Sequence, residues 1–125
     1  MNLMPVAQKL EDDGFGVMGT SIFINMIPIE CPEGILLRNK LSGTIVDYEL
    51  PGYYKTTFQL IVRTQDYAAG DTLIEGICEK LTLNNKMLGA MRFIYMRPIT
   101  LPVVFPLSKG NLLEFAADFG VAFTQ

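Results

Sequence analysis

At 125 residues the chain is the size of one domain, and with half of its residues hydrophobic and 18% charged it can build a core without metal or disulfide staples. Its formal net charge is −3 and its pI is near 4.8; the basic residues are spread along the sequence, the tightest group being Arg38-Asn39-Lys40, a pattern that speaks against a sequence reader of DNA or RNA, which gathers its cations on one face. There is no histidine, which removes the commonest general base, the Ser-His and Cys-His nucleophile pairs and most zinc and iron sites.

In chain order, Leu3, Val6, Ala7 and Leu10 make the apolar stripe of a short helix, closed by Glu11-Asp12-Asp13 and a glycine stop at Gly14. Residues 20–27 read as a strand, and Pro28 and Pro32 make residues 29–33 a loop or edge segment. Residues 34–38 form a second strand, residues 41–49 a third, bounded by Gly43 and the Leu50-Pro51-Gly52 turn. Residues 57–64 alternate as a strand. Residues 66–81 then predict the main helix, with Asp66 as N-cap and Leu73, Ile74, Ile77, Cys78 and Leu81 on one face. Gly70 and Gly76 weaken that helix by up to about 1 kcal/mol each relative to alanine, so tertiary packing must hold it. Residues 83–86 read as a turn and residues 87–96 as a long strand. Pro98, Pro102 and Pro106 forbid a regular ladder in the apolar stretch 97–110. From Leu113 to Phe123 apolar residues recur at every second position, the mark of a half-buried antiparallel strand.

Assembled, these elements predict a single α+β domain over residues 1–125: a mixed, mainly antiparallel sheet of four or five strands with two helices packed on one face. No apolar run approaches the roughly 18 to 20 residues of a membrane span, and the N-terminus does not read as a signal peptide. A soluble protein made in the cytoplasm is the expectation, with Cys31 and Cys78 as reduced thiols.

The sequence offers no catalytic, cofactor or metal constellation. Asp12 and Asp13 are adjacent on a helix end, and Asp47 and Glu49, on one face if their segment is a strand, could bind a cation but alone make a weak site. The glycines at 14, 16 and 19 lack the lysine and following helix of a phosphate loop. Cys78, on the apolar helix face, reads as a buried inert thiol.

Contact surface is better represented. Tyr48, Tyr53 and Tyr54 surround a Pro-Gly turn, and tyrosine suits interfaces because it joins an apolar ring to a polar tip; the alternative is a hairpin end whose rings pack on the sheet edge. Leu101, Val103, Val104 and Phe105 form an apolar segment that either covers its own sheet or meets a partner. A mean hydropathy of +0.29 in so small a chain favours apolar surface covered by a partner.

The run from Tyr53 through Arg63-Thr64-Gln65-Asp66-Tyr67, followed by a helix ending Ile77-Cys78-Glu79-Lys80-Leu81, resembles the strand-Arg-x-x-Asp-Tyr-helix core of phage tail-terminator proteins. Residues 95–102 and 107–115 are similar to the bacteriophage minor capsid protein family. The resemblance covers nearly the whole chain. It implies a virion protein, non-enzymatic and without cofactor, that forms a ring of six copies. The ring would cap the tail tube, stop polymerisation of the tail-tube protein and offer a docking surface to the head connector, while DNA threads the lumen without readout. A closed ring needs two unlike patches on each subunit. The expected patches are Tyr48, Tyr53 and Tyr54 on one side and Leu101, Val103, Val104 and Phe105 on the other, with Val104→Asp expected to leave folded monomers that do not assemble. Two other readings are a head-tail connector or stopper subunit and a small α+β binding module.

Overall fold

The computed structural model describes residues 1–28, 31–106 and 112–125. Its first element, α1 (Met4–Asp12), buries Val6, Ala7 and Leu10 and ends where Gly14 turns the chain at φ 85°, the left-handed stop that glycine adopts most cheaply. Lys9 pairs with Asp13 at 2.9 Å and so places a cation in the last turn. Next come β1 (Ile22–Ile24), β2 (Gly34–Asn39) and β3 (Tyr53–Thr64). The second helix, α2 (Tyr67–Lys80), is capped by Asp66, whose side chain accepts from the Ala68 N–H at 3.1 Å. Four strands close the chain: β4 (Leu83–Leu88), β5 (Met91–Pro98), β6 (Val103–Pro106) and β7 (Leu113–Thr124).

Among the described residues the sheet has seven strands, in the order β1-β2-β3-β7-β5-β4, with β6 also paired to β7. Among the described residues these strands pair antiparallel, except β1 with β2. The long β3 and β7 form the spine, in register from Tyr53↔Thr124 to Thr64↔Leu113. Alternation along them sends Phe58, Leu60, Val62, Phe115, Ala117, Phe119, Val121 and Phe123 to one face, where both helices cover them in a single core. Phe58 and Phe119, register partners, stack at 5.1 Å between centroids. Two helices on one face of a mainly antiparallel sheet is the α+β architecture expected from the sequence, with more strands than the four or five anticipated.

The extra strands are where local pattern misleads. Residues 83–86, expected as a turn, belong to β4, which pairs with β5 from Leu83↔Met96 to Leu88↔Met91. The true turn is Gly89-Ala90, with Gly89 at φ 59° supplying the left-handed first position of a two-residue hairpin. The strand expected over 87–96 is therefore two strands. In β4 the exposed Asn84, Asn85 and Lys86 are polar because this strand is a sheet edge, where charge discourages stray pairing. A bulge at Ile94 shifts the register of β5, so that Phe93 and Met96 both face the core although they lie three positions apart.

The third strand expected at 41–49 is absent. After Asn39 the chain leaves the sheet in an irregular excursion to Gly52, with Leu41, Ile45 and Tyr48 largely exposed. Ile and Val there supply strand composition without a ladder to join. Conversely, the proline-rich stretch does pair: β6 runs from Val103↔Ala116 to Pro106↔Leu113. Residues 29–30 of the expected early loop and 107–110 of the later one lie outside the described residues.

Candidate docking site

Side chains pointing away from the helices make a second, helix-free sheet face. Register fixes its rows: Tyr53–Thr124–Arg92, Lys55–Ala122–Tyr95 and Thr57–Gly120–Arg97, then Arg38–Gln59–Asp118 and Leu36–Ile61–Ala116–Val103. At its far end Arg63 opposes Glu114, the guanidinium donating to one carboxylate oxygen at 3.2 and 3.1 Å. Arg63 also donates to the carbonyls of Pro28 and Cys31 at 2.9 and 3.2 Å, and so holds the β1–β2 connection on the sheet. In the motif that carried the resemblance, Arg63 is thus a clamp, Asp66 a helix cap, and Tyr67 a cover on Phe115 with ring centroids 5.5 Å apart. All three roles are architectural.

The apolar segment is presented by a break in the ladder. Pro98 and Pro102 lack N–H groups, and between them the chain bulges out of the line joining β5 to β6. Two bonds bridge the gap: Ile99 N–H donates to the Asp118 carbonyl at 2.8 Å, and Asp118 N–H donates to Thr100 Oγ1 at 3.1 Å. The bulge lays Ile99 over Gly120, where any Cβ would press on it at 3.0 Å, and pushes Leu101 out to 86% exposure. Along β6, Val103 and Phe105 face the helix-free side and are half exposed.

Among the residues expected to form an interface, Tyr48, Leu101, Val103 and Phe105 stand in the open. Tyr53 is half-buried at the start of β3. Tyr54 and Val104 are turned the other way: each packs against the core, Tyr54 stacking on Phe123 at 5.3 Å. Val104, expected in one patch with Val103, points to the opposite face because residues alternate along β6. The two expected patches lie on separate segments, the 40–52 excursion and the 99–105 stretch.

Sequence reading missed the gathering of cations. Lys55 on β3 and Arg92 and Arg97 on β5 come from two distant stretches, yet β3 and β5 flank the small residues Gly120 and Ala122 of β7 and bring all three to the helix-free face. Arg97 lies over the Tyr95 ring, 4.2 Å from its centroid, and Arg92 donates to Asn85 at 2.9 Å. Helix propensity and strand alternation carry no sign of this; strand order makes it.

A hollow of about 190 Å³ between α2 and β3 is lined by Phe15, Glu33, Arg63, Thr64, Gly70 and Leu73 among others. Its guanidinium is already engaged by Glu114 and two carbonyls, leaving little to recognise a ligand. Cys78, on α2, has its thiol pushed up to about 11 by burial and, secondarily, by the Glu75 carboxylate, which disfavours thiolate chemistry. Among the described residues no group of three or more Cys, Asp or Glu side chains could hold a metal ion. Among the described residues no helix is long and apolar enough to cross a membrane.

The chain belongs to the bacteriophage tail terminator family, whose model, described as "Bacteriophage tail terminator protein", matches residues 9–125. In fold it is similar to a chain in a structure titled "Virion of native gene transfer agent (GTA) particle", at a TM-score of 0.71 and 15% identity, over 96% of this chain and 92% of that one. No curated protein matches the chain. Family membership makes it a virion protein with a structural role in the tail.

Proposed function

We propose that this protein ends the tail tube as a closed ring of six subunits, stopping addition of tail-tube protein on one side and receiving the head connector on the other. The observation that carries the reading is the exposure of Ile99, Leu101, Val103 and Phe105 in one segment and of Leu41, Ile45, Val46 and Tyr48 in another. A lone subunit gains nothing from holding so many large apolar side chains in water, whereas a ring with unlike patches buries both. The sites proposed are Tyr48 and Tyr53 on one side and Leu101, Val103 and Phe105 on the other. Tyr54 and Val104 hold these segments from behind. DNA passes through the lumen without base readout, and the protein acts by geometry and binding, not by catalysis.

The test is light scattering on the purified protein, alone and with the cognate tail-tube protein. A particle of about six subunits in either case, together with tubes that stop growing when the protein is added, is the expected result. A chain that stays monomeric and leaves tube growth unchanged overturns the reading.

A further inference from the structure

Charge in this molecule is divided between its two sides. The solvent side of α2 carries Asp71, Glu75 and Glu79, with Lys80 the one cation in its last turn, and α1 closes on Glu11 and Asp12 with Asp13 as its C-cap. On the opposite side of the sheet stand Lys55, Arg92 and Arg97, with Arg38 a row further on. Among the described residues the ion pairs are Lys9–Asp13 and Arg63–Glu114, so neither the α2 carboxylates nor the three cations are neutralised within the subunit. Beside the cations lie the exposed Ile99, Leu101, Val103 and Phe105.

A basic, partly apolar face and an acidic face on one chain, pointing in opposite directions, cannot satisfy each other in the same molecule. A two-fold dimer through the sheet face would set cation against cation. Head-to-tail association sets each face against its complement, as any heterologous interface does, and such an interface closes into a ring when the rotation from copy to copy closes. We infer that the occupant of the helix-free sheet face is a second copy of this chain, which lays the acidic outer surface of its α2 across Lys55, Arg92 and Arg97 while the 99–105 segment is buried at the margin. The inference rests on the ring reading above and departs from it in one respect: the complement of the 99–105 segment is the α2 surface of the next copy, not its Tyr48–Tyr53 patch. A nucleic-acid backbone is the rival occupant; four exposed apolar side chains and the Asp118 carboxylate on the same face are poor company for phosphate.

Two variants test this. Variant one carries Glu75→Lys and Glu79→Lys, so both its faces are basic. Variant two carries Arg92→Glu and Arg97→Glu, so both its faces are acidic. All four residues are exposed, and circular dichroism melts should show each variant folded. Under conditions in which the natural chain forms rings, alone or on the tail tube, each variant alone is expected to assemble at least tenfold more weakly. A one-to-one mixture should recover assembly as alternating rings, because the basic helix of one meets the acidic sheet of the other and the reverse. The quadruple variant, with both faces inverted in one chain, should assemble as well. Rings formed normally by either variant alone, or no recovery in both the mixture and the quadruple variant, overturn the inference and leave the ring reading standing. If variant two forms normal rings but loses the natural ring's retention of a short DNA duplex, the face serves DNA and the inference fails. If the natural chain itself never assembles, it is the ring reading that falls.

Discussion

Arg63 on β3 and Glu114 on β7 are direct register partners, and the guanidinium that grips this carboxylate also takes the carbonyls of Pro28 and Cys31. One side chain therefore joins the spine of the sheet to the connection between β1 and β2. Side-chain exposures of 11% and 21% put the pair far enough from water for its loss to be felt. Arg63→Ala should cost about 3 kcal/mol, since it leaves a partly buried carboxylate and two carbonyls without a donor. Glu114→Ala should cost less, because the two carbonyls still hold the arginine. A double-mutant cycle by urea unfolding should return a coupling of about 1–3 kcal/mol; a coupling near zero would show that the clamp acts through the carbonyls alone.

Two glycines in α2 should respond to alanine in opposite directions. At Gly70 a Cβ would collide with the Phe115 ring and the Thr64 methyl, so this glycine sets how closely helix and sheet approach. Gly70→Ala should destabilise by about 1–3 kcal/mol, as overpacking does, despite the better helix propensity. At Gly76 the nearest atom would be Phe15 Cε1 at 3.7 Å, ordinary contact. Gly76→Ala should stabilise by about 0.5–1 kcal/mol. Thermal melts of the two variants decide the matter, and equal effects of the same sign would contradict the packing described.

How much of this was legible beforehand follows from the range of the forces involved. The period-two pattern of β7, the Asp66 cap and the apolar stripe of α1 are local, and each was readable within a dozen residues. The edge strand β4 was not, because Asn84, Asn85 and Lys86 are selected by solvent and turn-like composition hides the ladder they join. Residues 41–49 failed in the opposite sense: strand composition with no neighbour to pair. Interface candidates divided at single positions. Val103 and Phe105 are exposed while Val104 packs inward, a parity that depends on the register of β6 against β7 and that a stretch broken by prolines does not declare. The basic face was out of reach altogether, since Lys55 meets Arg92 and Arg97 only when β7, the last strand, is laid between β3 and β5.

The Cys78 thiol gives a pH-dependent signature of α2 packing. Its folded value of about 11, against an ordinary 9.0, comes first from burial and second from Glu75. Because the raised value belongs to the folded state, the neutral thiol is favoured there. This group leaves stability unchanged below pH 9 and subtracts from it as pH climbs from 9 to 11, where the unfolded chain releases its proton and the folded chain does not. In a Cys31→Ser background, iodoacetamide should find on the order of a hundredfold fewer thiolates at pH 8 than in an unfolded control. The rate should rise about tenfold per pH unit until near 11. Glu75→Gln should speed the reaction modestly, with burial still dominant; a rate equal to that of the unfolded control would mean that the thiol is not held against the sheet.

Neighbouring residues of β6 should separate assembly from folding. Val103 and Leu101 are exposed on or beside the helix-free face, and Val104 packs against the core. Leu101→Asp with Val103→Asp should therefore leave the melting temperature within a few degrees of the natural chain and abolish ring formation, because a charge is added where the proposed neighbour buries apolar surface. Val104→Asp should lower stability by about 2–4 kcal/mol, since a carboxylate would be forced among apolar side chains without a partner. Any loss of assembly in that variant is then secondary to unfolding. Melting curves and scattering mass measured on the same samples distinguish the two effects. A folded, ring-forming Leu101→Asp/Val103→Asp variant would remove this segment from the interface, and a fully stable Val104→Asp variant would show that β6 is not registered on β7 as described.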